Sequence, residues 1–229
     1  MRNTRTMPLT GLKTLPNLRK MWIGTGGRDL DDTAQDDAHL GADLALRRNP
    51  SRRTFLNQLH IKNIREHITR LPEAGETIHG VVSGRYPLWA FIPAILDMTG
   101  QTISDLQLMT LSFATDNGTE LIDLLDAGKI QRVQLGVSHY FQHTNKLIYD
   151  PIAAALQERG QQIRGLRTHA KIINAQLAGG ATYTVEASAN LRSSRNIEQF
   201  TLTADAQLYA FHRDWIGQIF SAKTLRDRL

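Results

Sequence analysis

A chain of 229 residues with net charge +5 and no cysteine is long enough to bury a core without covalent staples, and it excludes disulfides, thiolate metal sites and a cysteine nucleophile. The basic opening MRNTRTMPLTGLKTLPNLRK holds no apolar run of signal-peptide length, and no later segment reaches the roughly eighteen apolar residues of a spanning helix, so a cytoplasmic protein without membrane contact is expected. The modest positive balance suits a polyanion partner and suits a plain solvated surface equally well.

Residues 1–53 carry ten Lys or Arg against six Asp, with Gly-Thr-Gly-Gly at 24–27, an acidic cluster "DLDDTAQDD" and a basic cluster "RRNPSRR" at 47–53. Lacking sustained periodicity, they are expected to form a poorly ordered or partner-binding arm. The glycine cluster neither follows a strand nor opens a helix, so it is not taken as a phosphate loop. The next run, "RTFLNQLHIKNIREHITRL" at 53–71, places Phe55, Leu59, Ile61, Ile64 and Ile68 at helical spacing. This predicts an amphipathic helix ending before Pro72, leading into a domain at 54–229.

The domain then alternates. Apolar "IHGVVSG" (78–84), "LQLMTLSFA" (106–114) and "VQLGVSHYF" (133–141) are separated by helical "LWAFIPAILDMTG" (88–100) and "NGTELIDLLDAG" (117–128), with "DPIAAALQERG" (150–160) after the last. Strands and helices taking turns in this way predict an α/β fold with a sheet covered by helices. After Gly165 come two strand-like runs, 166–177 and 181–191, joined around Gly179-Gly180, and a closing helical segment at about 204–228. Trp89 and Trp215 lie among apolar neighbours and are expected as core or interface anchors.

Side chains alternate along a strand, so His169 and Lys171 are expected to point the same way. In the second run Thr184, Glu186, Ser188 and Asn190 fall on one face, and Val185, Ala187, Ala189 and Leu191 on the other. The hairpin would then display His, Lys, Ser and Asn over an apolar backing. Those residue types suit an anionic tetrahedral group: Lys offers fixed charge, Ser and Asn neutral donors, and His a nucleophile or proton donor near neutral pH. No carboxylate cluster calls for a divalent metal, and no cofactor is expected. His60-Ile-Lys62 is a second triplet of the same kind, read as ordinary helix surface. His139 and His143 flank an aromatic pair in "SHYFQH" and are expected in a loop or against the hairpin, with cleft lining at a strand's carboxyl end as the alternative.

The order His169-Ala-Lys171, Ser188-Ala-Asn190, Asn196-Ile-Glu198 resembles the signature of the phospholipase D superfamily, written His-x-Lys-x4-Asp-x6-Gly-Ser-x-Asn. The likeness covers roughly residues 77–229 and resembles the single-motif, nuclease-like branch. It implies a mixed β-sheet flanked by helices with one motif per chain, and metal-independent phosphodiester hydrolysis through a phosphohistidine in a homodimeric site. Carried over, His169 is nucleophile or general acid, Lys171 and Asn190 bind phosphate oxygens, Ser188 assists them, and Glu198 receives the other ring nitrogen of the histidine. The motif is degenerate: Gln176 stands at its Asp, Ala187 at its Gly, and the interval between its halves is longer. The basic balance and the basic segments of the arm direct the expectation to nucleic acid, DNA ahead of RNA, rather than lipid. A nucleic-acid-binding module that has lost turnover is the alternative.

Overall fold

The computed structural model describes residues 52–57, 68–83, 87–193 and 196–222. The expected arm up to residue 51, and the run 58–67 with His60 and Lys62, lie outside the described residues. The elements are β1 (Arg52–Asn57), β2 (Glu76–Ser83), a 3-10 turn (Leu88–Ala90), α1 (Phe91–Thr99), β3 (Ile103–Met109), α2 (Thr115–Asp126), β4 (Val133–Ser138), α3 (His139–Thr144), α4 (Lys146–Glu158), β5 (Gln162–Leu166), β6 (Ile172–Leu177), β7 (Thr182–Ala187), β8 (Ile197–Thr203) and α5 (Ala206–Ser221). The eight strands form one mixed sheet in the order β1-β2-β8-β7-β6-β3-β4-β5. Neighbours run parallel within β1-β2 and β3-β4-β5 and antiparallel from β2 through β8, β7 and β6 to β3. An α/β fold with a mixed sheet flanked by helices is therefore what the chain adopts.

Strand alternation sorts the two faces. On one, Leu106 and Leu108 of β3, Val133, Leu135 and Val137 of β4, Ile173 and Ala175 of β6, Val185 of β7 and Leu202 of β8 are buried with Ile92 and Ile95 of α1, Leu121 of α2 and Leu156 of α4 in one apolar cluster. On the other, beneath α5, the buried strand residues are largely polar: Gln107, Gln134, Asn174, Thr184 and Thr203. Hydrogen bonds join these amides across five adjacent strands. Thr184 bonds Asn174 (2.7 Å), Asn174 bonds Gln107 (3.1 Å), Gln107 bonds Gln134 (2.7 Å) and Gln134 bonds Gln162 (2.6 Å). α5 closes this layer through the Tyr209 carbonyl, which accepts from Asn174, and the Tyr209 hydroxyl, which donates to Asp105 at 3.0 Å. Its hydroxyl is held well above the ordinary phenol value, chiefly by burial and then by the charge of Asp105. Trp89 is a core anchor, and its indole N–H donates to Glu120.

Two glycines serve the close packing. Gly180 turns β6 into β7 at φ +86°, a left-handed conformation that favours glycine. Gly80 lies under Phe200, where a Cβ would stand 2.3 Å from the ring.

Four expectations are corrected. Residues 53–57, taken as the start of a helix, belong with Arg52 to an edge strand parallel to β2. Thr54 and Phe55 favour strands, and the first turn of the expected helix rested on Phe55 alone. The runs at 106–114 and 133–141 are shorter strands, because a Thr110 to Ser112 hydrogen bond turns the chain after β3 and Ser138 caps α3 by accepting from Phe141 N–H. The run 166–177 is not one strand: β5 ends at Leu166, residues 167–171 form a loop, and β6 begins at Ile172. Finally, β8 was not anticipated, although the inward Phe200 and Leu202 carry the alternation of a strand.

Candidate functional site

Because β3, β4 and β5 run the same way, the segments that follow them gather at one end of the sheet, the usual place for a binding crevice in an α/β fold. There the structure has a cleft of about 720 Å3, lined among others by Leu111, Ser138, His139, Tyr140, Arg167, Asn190 and Arg192. His139 and Tyr140 enter through α3, and the His139 and His143 rings stack at 5.6 Å with planes 12° apart. His139 is thus a cleft residue at a strand's carboxyl end, the alternative reading of its motif.

His169 and Lys171 stand beside this cleft, on the loop that carries Arg167 and Thr168. They do meet, though not through strand alternation. Lys171 Nζ lies 2.9 Å from His169 Nδ1 and donates to the His169 carbonyl at 3.0 Å. Lys171 is 9% exposed, whereas His169 is open to solvent. Burial pushes the Lys171 ammonium below its ordinary range, opposed by the charge of Glu198. An ammonium has only protons to give, so Nδ1 accepts, and the neutral ring carries its own proton on Nε2. That nitrogen has no hydrogen bond among the described residues.

The second half of the motif follows β7. Lys171 is tied to it by the backbone, where Ala187 N–H donates to the Lys171 carbonyl at 3.1 Å. Ser188 donates its hydroxyl to Glu198 in a short hydrogen bond and accepts from Gln199 N–H at 3.0 Å. The expected pairing of Glu198 with His169 is therefore absent among the described residues: the carboxylate holds Ser188. The Ser188 proton is committed in turn, so the hydroxyl supports Glu198 rather than facing the cleft. Asn190 takes Leu111 N–H on its side-chain oxygen at 3.1 Å. Its NH2 group has no partner among the described residues and is free to donate at the cleft wall.

Neither degenerate position lends a side chain to the cleft. Gln176 sits at the far end of β6, within 3.5 Å of the Tyr209 hydroxyl, in the polar layer under α5. Ala187 is the last residue of β7 and does not line the cleft. The polar face expected along β7 is likewise split. Thr184 is sealed in the amide network under α5, while Glu186, exposed, bonds His212 of α5 at 3.1 Å. Arg167, Arg192 and Tyr140 were not singled out by sequence reasoning. Arg167 borders the His-Ala-Lys triplet and Arg192 follows Ser188-Ala-Asn190 closely, a proximity that marks them.

Among the described residues no three His, Asp or Glu side chains gather closely enough to hold a metal ion, and no helix is long and apolar enough to cross a membrane. No family model matches the chain, and no curated protein matches it. Among solved structures it is similar to TrmBL2, described as an archaeal chromatin protein with a novel mode of DNA binding, at 12% identity and a TM-score of 0.43. That overlap covers 70% of this chain and 55% of TrmBL2.

Proposed function

We propose that this chain is a metal-independent phosphodiesterase of phospholipase D type, acting on nucleic acid in the cytoplasm as a homodimer whose two copies each give one His169. The observation that carries the reading is the contact of His169 with Lys171: a buried ammonium beside an exposed imidazole whose Nε2 has no hydrogen bond among the described residues. Asn190 supports it with an unpartnered amide close by. In the first step His169 Nε2 of one copy forms a bond to phosphorus while the P–O bond breaks, and the leaving oxygen takes the Nε2 proton of His169 in the second copy. Water then bonds to phosphorus as the P–N bond breaks, giving one proton to that second imidazole, returning the electron pair to Nε2 of the first and releasing the product.

The tautomer in the structure, with the proton on Nε2, becomes the acid once Nδ1 takes up a second proton, so that the ring is left neutral when Nε2 gives its proton away. Attack needs the proton on Nδ1. Transfer of Lys171 Nζ from Nδ1 to a phosphate oxygen releases Nδ1 to carry it, so substrate arrival itself prepares the nucleophile. The test is incubation of the full chain with DNA and RNA in excess chelator, followed by trapping of phosphohistidine. Cleavage with a phosphate on His169, abolished in His169→Ala, supports the mechanism. Cleavage that survives the substitution, or that needs added metal, defeats it.

A specific observation favours a second reading, a binding module without turnover: Glu198 is committed to Ser188 and so does not orient His169. On that reading nucleic acid binds with strong salt dependence, no phosphohistidine forms, and Lys171→Ala weakens binding at every sequence.

A further inference from the structure

Resting on the nucleic-acid reading above, we propose that the cleft beside His169 takes a single strand: the Tyr140 ring stacks an unpaired base while Arg167 and Arg192 hold its flanking phosphates. Tyr140 is 76% exposed although it lines a concave site. A large aromatic left uncovered at a cleft wall has a face to offer. Arg167 and Arg192 are exposed and, among the described residues, carry no ion pair. No carboxylate lines the cleft among the described residues, so nothing there repels a phosphate. Its volume of about 720 Å3 falls within the roughly 300–1,000 Å3 typical of sites that enclose a small molecule.

Positive charge along a groove with an aromatic platform is the arrangement that holds single-stranded nucleic acid, because every base has a face to stack. In a duplex those faces are covered by neighbouring bases, and a base reaches such a ring only when it leaves the stack. Arg167 and Thr168 connect the cleft to His169 along one short loop, and Asn190 lies on its wall. A strand seated on Tyr140 therefore runs its next phosphate toward His169 and Lys171.

The experiment measures fluorescence anisotropy of a labelled oligothymidine, and of a duplex of equal length, against the full chain carrying His169→Ala in chelator. Tyr140→Ala is expected to weaken oligothymidine binding about five- to 150-fold and leave its salt dependence unchanged, while Tyr140→Phe binds as before. Arg167→Ala and Arg192→Ala are each expected to reduce the slope of log affinity against log salt by about 0.7. Tyr140→Leu, which keeps bulk and loses the ring, must weaken binding as Tyr140→Ala does. Equal affinity of Tyr140→Ala and its parent, or a duplex that competes as well as oligothymidine, overturns the inference. Since binding is read without turnover, failure of the phosphodiesterase reading appears as absent cleavage in wild type. Failure of the single-strand reading appears only in these affinities.

Discussion

Thr184 and Ser188 stand on the same side of the same run, yet Thr184 is sealed under α5 and Ser188 is exposed where the sheet ends. Around Thr184, hydrogen bonds link Asn174, Gln107 and Gln134, all buried, and run on to Gln162 at the exposed edge of the sheet. Around Ser188 are Glu198, and nearby His169 and Lys171, with solvent in reach. Beneath the helix a polar side chain has one partner set, and losing it leaves buried groups unsatisfied. At the end of the sheet water replaces a lost partner, so a deletion there should cost little stability and, on the proposed function, remove chemistry instead. A polar residue on a strand is thus read by what covers it.

The largest expected effect separates the two clusters. His169→Ala should lower nucleic-acid cleavage about a hundred- to ten-thousand-fold with the melting temperature unchanged, measured by gel cleavage and calorimetry. Asn174→Ala should do the reverse. It strands Gln107, Thr184 and the Tyr209 carbonyl and is expected to cost about 3 kcal/mol in urea unfolding, with cleavage per folded molecule preserved. If His169→Ala melted early or Asn174→Ala lost cleavage while folded, the division between structural and chemical clusters would collapse.

This division also explains what could be read in the chain and what could not. The alternation of apolar and helical runs reports local periodicity, so α1, α2, α4, the β6-β7 hairpin and α5 were legible. The edge strand β1 was not, since it exists by pairing with β2, a partner remote from its own pattern. His169 and Lys171 were legible as a pair because their spacing brings them together even off a strand. Glu198 was placed near the site but given the wrong partner, since nothing in the spacing distinguishes Ser188 from His169 as its donor. Tyr140 and Arg167 converge through the parallel order of β4 and β5, and Arg192 joins them because β7, antiparallel to β6, runs the same way as β3.

A smaller effect sharpens the comparison at Gln176. Gln176→Asp restores the Asp of the written motif, yet the position faces Tyr209 and Asp105, away from His169. A second carboxylate beside Asp105 should destabilise the fold by about 1 kcal/mol above neutral pH through like-charge repulsion, and leave cleavage unchanged. Increased cleavage in this variant would show that the position belongs to the chemical cluster after all.

The smallest effect concerns pH. Burial holds the folded-state pKa of Lys171 below its ordinary 10.5, so between the two values the unfolded chain binds more protons and stability rises with pH. On the proposed function, phosphate affinity should fall over the same window, because the ammonium is the form that would grip. Relative to Lys171→Arg, wild type should show these opposed slopes in urea unfolding and oligonucleotide anisotropy. Slopes identical in the two proteins would place Lys171 outside the phosphate contact.

The amide network has one more property. Thr184 gives its proton to Asn174, Asn174 to Gln107, Gln107 to Gln134 and Gln134 to Gln162, so every donor points from β7 toward β5. The network has a polarity, and no single amide can reverse without leaving two donors or two acceptors facing each other. It also acts as a vernier between strands. Sliding β6 by one residue would swing Asn174 into the apolar layer and Ile173 under α5. Since Lys171 immediately precedes β6 and Asn190 closely follows β7, the same vernier sets the gap between the two halves of the motif, from a place neither half touches.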